Sequence, residues 1–415
     1  MASPSGLSYD LPAKRLLRNS GPRHGQSFSD PHKSRMAIKR RNFLRQLTSG
    51  VAASALLVDR FGASPEGSEE GRSGSGQRPL LLDRNENAYG AGPEVLAAVR
   101  SRLHEMNRFP AEADKVLSEE LAKFHHKQPE QILIGAGSNA ILQMAAAAYL
   151  GPERKLLLGT PSYGALEYYA RARGAQVKAV QLRKDYSHDL EAMLAKVDSS
   201  IGLVYLCNPN NPTATLTERS EIDRFLEKLP ESVPVVIDEA YHEYAGGSGA
   251  YASLIDRPPK PRPGAIVLRT FSKIYGLAGL RLGYAITESD TAERLASTRP
   301  LFAVNRLALA AGVAALTDRE HVRDCVRRNQ DDRQEFVNQV NARMLRVLDC
   351  HANFACLNVM RPAREILKHY HKHGVRLGPE ILSMPNYVRV SFGKPEEMKE
   401  FWKVWDLLGA HPMAM

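Results

Sequence analysis

What most limits the folding of this chain is a series of seven short apolar runs, Gln131–Ile134, Lys155–Leu158, Val177–Val180, Ile201–Leu206, Val233–Ile237, Ala265–Leu268 and Leu282–Ile286. Each has the length of a strand and is apolar almost throughout, which is the pattern of strands covered on both faces. Segments with helical spacing, such as Ala140–Leu150 and Thr217–Leu229, separate several of them. Strands alternating with helices predict an α/β fold built on a mostly parallel, seven-stranded sheet. Beyond about residue 300 the chain turns helix-rich and then mixed. The expected division is an N-terminal arm at 79–106, a large domain at 107–300 and a smaller α/β domain at 301–415.

Sheets of this kind bind ligands beyond the carboxyl ends of their strands, and nearly every reactive polar group follows one of the runs. The segments are Gly135-Ala136-Gly137-Ser138-Asn139, Gly159-Thr160-Pro161-Ser162-Tyr163, Asn208-Pro209-Asn210-Asn211-Pro212, Asp238-Glu239-Ala240-Tyr241 and Ser272-Lys273. Gly135-x-Gly137-x-x-Ala140 has the glycine spacing of a dinucleotide site. Such a site also needs an acid at the end of the next strand for the ribose, and here that strand ends in Gly159-Thr160. The glycines suit instead a tight turn whose amides, with a helix N-terminus, hold one phosphate.

A phosphate cofactor without a ribose, pyridoxal 5'-phosphate, fits better. It needs a lysine for its aldehyde, an anion for its ring nitrogen, donors for its phenolate oxygen and a phosphate cradle. Lys273, Asp238, Asn211 and Tyr241 offer these at three strand ends, with Arg281 eight positions past the lysine. Any one of them alone would be read as a solvated surface residue. Four gathered at strand ends are hard to explain that way.

Charge and cysteine content exclude other classes. The net charge of +10 sits mostly on residues 1–60, which carry 11 Lys and Arg against 3 Asp and Glu. A nucleic-acid domain would carry its basic excess on the fold. The cysteines, Cys207, Cys325, Cys350 and Cys356, form no C-x-x-C pair, so neither a zinc site nor a disulfide frame is indicated, and no metal is expected. His125-His126 and His371-Lys372-His373 read as solvated surface residues. No run reaches the roughly 20 apolar residues of a membrane span, so no stable membrane insertion is expected.

Residues 1–63 read as a basic leader and 64–78 as a flexible linker rich in Ser, Gly and Glu. Lys39-Arg40-Arg41-Asn42-Phe43-Leu44-Arg45, followed by the mildly apolar Leu47–Val58, resembles a twin-arginine export signal and predicts a periplasmic destination. A basic amphipathic helix with no address, in a cytoplasmic protein, is the plainer reading. Met36 offers an alternative start that would give a leader of more usual length.

Four motifs together carry a family resemblance. Leu82-Asp83-Arg84-Asn85-Glu86-Asn87-Ala88-Tyr89-Gly90, Asn208-Pro209-Asn210-Asn211-Pro212-Thr213, Asp238-Glu239-Ala240-Tyr241, and Ser272-Lys273 with Gly279-Leu280-Arg281 resemble the class I/II, fold-type I aminotransferases. Their order and spacing are most similar to the histidinol-phosphate aminotransferase branch, over about residues 79–405.

The resemblance implies a homodimeric transaminase moving an amino group from an amino donor to a 2-oxo acid such as 2-oxoglutarate. Lys273 would hold the cofactor covalently and, once displaced by substrate, carry the transferred proton. Asp238 would face the ring nitrogen, Asn211 and Tyr241 the phenolate oxygen, and Tyr163 the ring face. Ser138, Asn139, Ser272 and Arg281 would hold the phosphate. Tyr89, Asn211, Asn353 and Arg389 would lie on the substrate side.

The chain also departs from the family pattern. Phe109 stands where relatives have a tyrosine that reaches the partner's cofactor phosphate. Gly378 stands where they have a second substrate arginine, with Arg376 two positions away on the same side of a strand. Ala214 replaces the glycine that ends Asn-Pro-Thr-Gly, and Leu301-Phe302-Ala303-Val304-Asn305 replaces Pro-Tyr-Asn-Val-Asn. These departures leave open an aromatic or general amino acid transaminase, and a decarboxylase or lyase working on the same cofactor. A non-catalytic ligand sensor is disfavoured by the intact Lys273, Asp238 and Arg281 set.

Overall fold

The computed structural model describes residues 78–110, 113–256 and 262–409, so the leader, its arginine pair and nearly all of the linker lie outside the described residues. The described chain opens with a short strand, β1 (Leu80–Leu82). All seven apolar runs then form strands: β2 (Ile132–Gly135), β3 (Lys155–Thr160), β4 (Val177–Gln181), β5 (Ile201–Cys207), β6 (Val235–Asp238), β7 (Ala265–Thr270) and β8 (Gly283–Ile286). They make one sheet in the order β2-β8-β7-β6-β5-β3-β4. The pairs from β7 through β4 are parallel, and β8 runs antiparallel to both β2 and β7.

The apolar character of β5 follows from its central place. Leu203, Tyr205 and Cys207 pack on one face with Leu156, Leu158 and Ile141, while Val204 and Leu206 pack on the other with Leu157 and Phe225. With both faces covered no position is left for a solvated side chain, and each buried aliphatic residue contributes about 1.5–3 kcal/mol. The flanking helix Arg219–Lys228 buries Ile222, Phe225 and Leu226, spaced as one stripe of a helix requires.

The C-terminal part holds β9 (Arg346–Val347), β10 (Phe354–Asn358), β11 (Val375–Leu377) and β12 (Tyr387–Ser391). Strands β12, β10 and β9 form an antiparallel sheet, and β11 pairs in parallel with β1, bringing Leu81 opposite Arg376. The first described strand is thereby fastened to the last third of the chain, and residues 83–90 cross the strand ends of the large sheet on their way out.

One expectation on histidine is corrected. His125 is not solvated: Nε2 lies 2.9 Å from the Tyr284 hydroxyl, and burial lowers its pKa to about 3. It ends the helix Ala113–His125, whose buried stripe of Leu117, Leu121 and Ala122 carries it inward. His126, His371 and His373 are exposed. Among the described residues no helix is long and apolar enough to cross a membrane, and no group of three or more His, Cys, Asp or Glu side chains could hold a metal ion.

Candidate functional site

The carboxyl ends of the parallel strands and the turn after β2 meet at one edge of the sheet, and the expected cofactor residues lie there. Gly137, at φ 75° and ψ 163°, turns the chain from β2 into the helix Ser138–Tyr149. Its backbone is flush against Arg281: a Cβ at this position would lie 2.3 Å from Nη2. Ser138 and Asn139 open the helix, so their N–H groups have no acceptor within it. Arg281 is itself in the left-handed region at φ 56° and ψ 70°, and its Nη1 donates to the Ala278 carbonyl at 3.0 Å and to Ser272 Oγ at 3.4 Å. Helix N-terminus, hydroxyl and guanidinium thus converge as a phosphate cradle.

Lys273 donates from Nζ to the carbonyls of Arg84 and Asn85, both at 2.9 Å, and sits 5.6 Å above the ring of Tyr241. Burial first, then the positive charges of Arg389 and Arg281, lower its pKa to about 7. A large part of the amine is then neutral, and nucleophilic, near neutral pH.

Asp238, the last residue of β6, is 2% exposed. Its Oδ2 accepts from the Tyr205 hydroxyl at 2.9 Å and its Oδ1 from the Ala240 N–H at 3.1 Å. Burial outweighs these two donors and raises the carboxyl pKa to about 6. A cationic group placed against it would hold it as the anion.

Tyr241 is buried, and its hydroxyl accepts from Asn85 Nδ2 at 3.0 Å, which leaves the phenolic proton free to be donated. Asn211 gives its Oδ1 to Arg389 Nη1 at 2.7 Å, so its amide N–H groups remain as donors. Both side chains therefore keep a hydrogen-bond donor free for an oxyanion. The second nitrogen of the Arg389 fork, Nη2, donates to the Asp83 carbonyl at 2.5 Å, and buried Nε has no hydrogen-bond partner. The Tyr163 hydroxyl donates to Asn139 Oδ1 at 3.0 Å, which links the turn after β3 to the cradle.

The other expected substrate residues are more committed to structure. Tyr89 donates to Asp332 Oδ2 at 2.8 Å under the guanidinium of Arg328. Asn353, 3% exposed, donates to the carbonyls of Asn85 and Glu86 at 3.0 Å each and so supports the crossing segment. Arg376 lies 3.5 Å from Asp83 Oδ2. Gly378 has no room for a side chain, because a Cβ there would lie 2.8 Å from Arg389 Nε and 3.1 Å from its carbonyl. Phe109 is 73% exposed and tilts against Phe302 with ring centroids 5.0 Å apart.

Three contributors were not singled out from sequence. Asn85, at φ 54° and 1% exposed, binds Tyr241 through Nδ2, Lys273 and Asn353 through its carbonyl, and Ser391 Oγ through its N–H at 2.8 Å. Ser391 also donates to Asn85 Oδ1 at 3.1 Å. Tyr205 holds Asp238 from inside β5. A lone asparagine between charged residues and a tyrosine inside an apolar run were the available signals.

This donor set fits pyridoxal 5'-phosphate: a glycine-floored anion cradle, a partly neutral lysine, a buried carboxylate, and two donors left free for an oxyanion. Comparison with known proteins agrees. Residues 78–404 match the family described as aminotransferase class I and II. A histidinol-phosphate aminotransferase 2 of Carboxydothermus hydrogenoformans is 37% identical over 323 residues, covering 77% of this chain and 88% of the relative. One of the same description from Pseudomonas fluorescens is 38% identical, covering 78% and 86%. The structure is similar to that of histidinol-phosphate aminotransferase from Sinorhizobium meliloti in complex with pyridoxal-5'-phosphate, with a TM-score of 0.73 and 27% identity over 80% of this chain and 93% of the other.

Proposed function

The chain belongs to the class I and II aminotransferases, enzymes that work with pyridoxal 5'-phosphate, and from the build of its site we propose that it takes the amino group of histidinol phosphate and passes it to a 2-oxo acid, 2-oxoglutarate first among them. Arg389 carries this reading. Its part-buried guanidinium is held by two neutral oxygens rather than by a carboxylate, so its charge is available to an anionic group on either substrate. Arg376, on the neighbouring β11 strand, supplies a second guanidinium from the same side of the fold.

The bound cofactor supplies an electron sink for the charge that forms at the substrate Cα. The protein's residues do the rest. Asp238, held by Tyr205 and the Ala240 amide, keeps a negative charge where the ring nitrogen needs it. Asn211 and Tyr241 donate to the phenolate oxygen. Ser138, Asn139, Ser272 and Arg281 would hold the cofactor's phosphate, and Tyr163 would lie against its ring. Lys273, whose pKa is lowered to about 7, would hold the cofactor, and its amine is basic enough to take a proton and acidic enough to return it.

Two further readings are part of the proposal. The exposed apolar residues Met106, Phe109, Leu301 and Phe302 support a homodimer whose partner covers them. Arg40-Arg41 supports export of the folded protein. A free amino acid as donor is the second substrate reading, favoured by the absence of any side chain at Gly378. Mixing holoenzyme with one amino donor at a time, without acceptor, tests the choice. Conversion of the visible cofactor band with histidinol phosphate supports the proposal, conversion only with free amino acids overturns the donor, and carbon dioxide release without conversion overturns transamination.

A further inference from the structure

We infer that His188 is a positioning residue, a wedge that sets the turn carrying Asn211 against the turn carrying Tyr163. This rests on the reading of the strand ends as the cofactor site and is independent of which donor the enzyme takes.

His188 is 1% exposed, and its described contacts are with Thr217, the Cys207 carbonyl and Gly159 rather than with Asp238 or Lys273. Its ring nitrogen Nε2 is 3.1 Å from the carbonyl of Cys207, the last residue of β5, and its main-chain N–H donates to Thr217 Oγ1 at 2.9 Å. A carbonyl only accepts, so Nε2 carries the proton. Cys207 stands opposite Asp238 in the sheet register, and the Asn208 N–H donates to the Asp238 carbonyl at 2.9 Å. The Asn208 side chain then clamps the Thr217 backbone, accepting from its N–H at 2.9 Å and donating to its carbonyl at 3.1 Å. The loop that presents Asn211 is closed at its base by these bonds, and His188 holds both ends of that base.

The other edge of the ring lies on Gly159, next to the end of β3 and four residues before Tyr163. A Cβ at Gly159 would come within 2.3 Å of His188 Nδ1 and 2.9 Å of its Cε1, so this edge of the imidazole fits only against bare backbone. At their tips the two turns are tied directly, by Ser162 Oγ to Asn210 Oδ1 at 2.8 Å and Asn210 Nδ2 to the Pro161 carbonyl at 3.0 Å. At their base the turns are joined by the β3–β5 ladder, whose last pair is Leu158 with Tyr205, and just beyond that pair by this ring.

Nδ1 is buried and has no hydrogen-bond partner. An unpaired buried polar atom is destabilising, and a leucine would fill the slot without that cost. The imidazole is therefore explained by what Nε2 donates to, and local rules of this kind are broken chiefly where function requires it. Burial keeps the ring neutral, with its pKa lowered to about 4.

The test compares three variants as holoenzymes. His188→Gln keeps a donor within reach of the Cys207 carbonyl, His188→Leu fills the volume without one, and Gly159→Ala leaves the histidine but pushes it out of place. The readout is the pH midpoint of the cofactor's visible band, which depends on the donors facing the phenolate oxygen, together with the thermal midpoint. With Asn211 displaced, the Leu and Ala variants should move the band midpoint upward by about half a pH unit or more and bind cofactor about tenfold more weakly, while the Gln variant stays close to wild type. If the leucine chain fails to fold, Gly159→Ala reads the same quantity. A band midpoint unchanged in Gly159→Ala, or shifted alike in the Gln and Leu variants, overturns the inference. A purely structural histidine would lower only the thermal midpoint. Because this experiment uses the cofactor without a donor, its failure is distinct from failure of the substrate proposal.

Discussion

Replacing Gly137 with alanine tests the phosphate cradle at its floor. Gly137 has φ 75° and ψ 163°, a region that is nearly closed to residues with a Cβ and costs of order 1–3 kcal/mol to occupy. That cost falls on folding, so the apoprotein should lose about 1–3 kcal/mol of stability. The second effect is local. A Cβ here would lie 2.3 Å from Arg281 Nη2 and 2.9 Å from Cζ, so the guanidinium has to swing off the cradle. Losing one charge-assisted hydrogen bond to the phosphate costs about 1.5–3 kcal/mol, which is roughly a 10- to 150-fold weaker cofactor complex. The assay is titration of apoprotein with pyridoxal 5'-phosphate beside urea unfolding of the same sample, for Gly137→Ala, Arg281→Ala and the double variant. If the loss of affinity runs through Arg281, adding Gly137→Ala to Arg281→Ala should cost little more, because both remove one interaction. Wild-type affinity in Gly137→Ala, or losses that simply add in the double variant, would refute the reasoning.

Two further outcomes follow from the buried titratable groups. Tyr205→Phe removes the 2.9 Å donor from Asp238 Oδ2 and should push that carboxyl further above its value of about 6. In the apoprotein the anion exists only above that pKa, so affinity for pyridoxal 5'-phosphate should fall about tenfold at neutral pH, a loss of about 1.4 kcal/mol, and recover partly as pH rises; an affinity profile superimposable on wild type contradicts the role of Tyr205. For Lys273, lowered to about 7, the neutral amine fraction grows tenfold per pH unit below that value and saturates above it. The rate of cofactor capture by apoprotein should therefore level off above about pH 8, and a rate still climbing toward pH 10 would show a lysine with an ordinary pKa.

The seven strands were legible because burial on both faces leaves an uninterrupted apolar run, and the strand-end rule then led to Asp238, Lys273 and Asn211. The direction of a strand is not written in such a run. Nothing in Leu282–Ile286 distinguishes the antiparallel β8 from its parallel neighbours, and the twelve residues between β7 and β8 are long enough for either direction. Asn85 was hidden for another reason. Its bonds reach Tyr241 and Ser391, 156 and 306 residues away, and its positive φ is one that asparagine tolerates without any local motif. Tyr205 was hidden because a tyrosine in a buried strand reads as bulk, although its hydroxyl needed a partner and Asp238 was the nearest strand end. His125 was misplaced because the polar residues beside it, Lys123, His126 and Lys127, masked the inward turn at the helix end.

The clasp between Asn85 and Ser391 also sets a schedule. Ribosomes extend chains at about 5–20 residues per second, so some 306 residues of separation mean that Ser391 emerges roughly 15–60 s after Asn85. During that interval the large sheet can form and Asp238 and Lys273 can take their places, but the carbonyls of Arg84 and Asn85 have no fixed position, because β11 and β12, which fasten them, are still being synthesised. A nascent chain is therefore a sheet with an open lysine, and the site closes only once β11 and β12 have been made. Loss of the last few tens of residues by premature termination would leave a protein able to build its central sheet and unable to hold Lys273 in register.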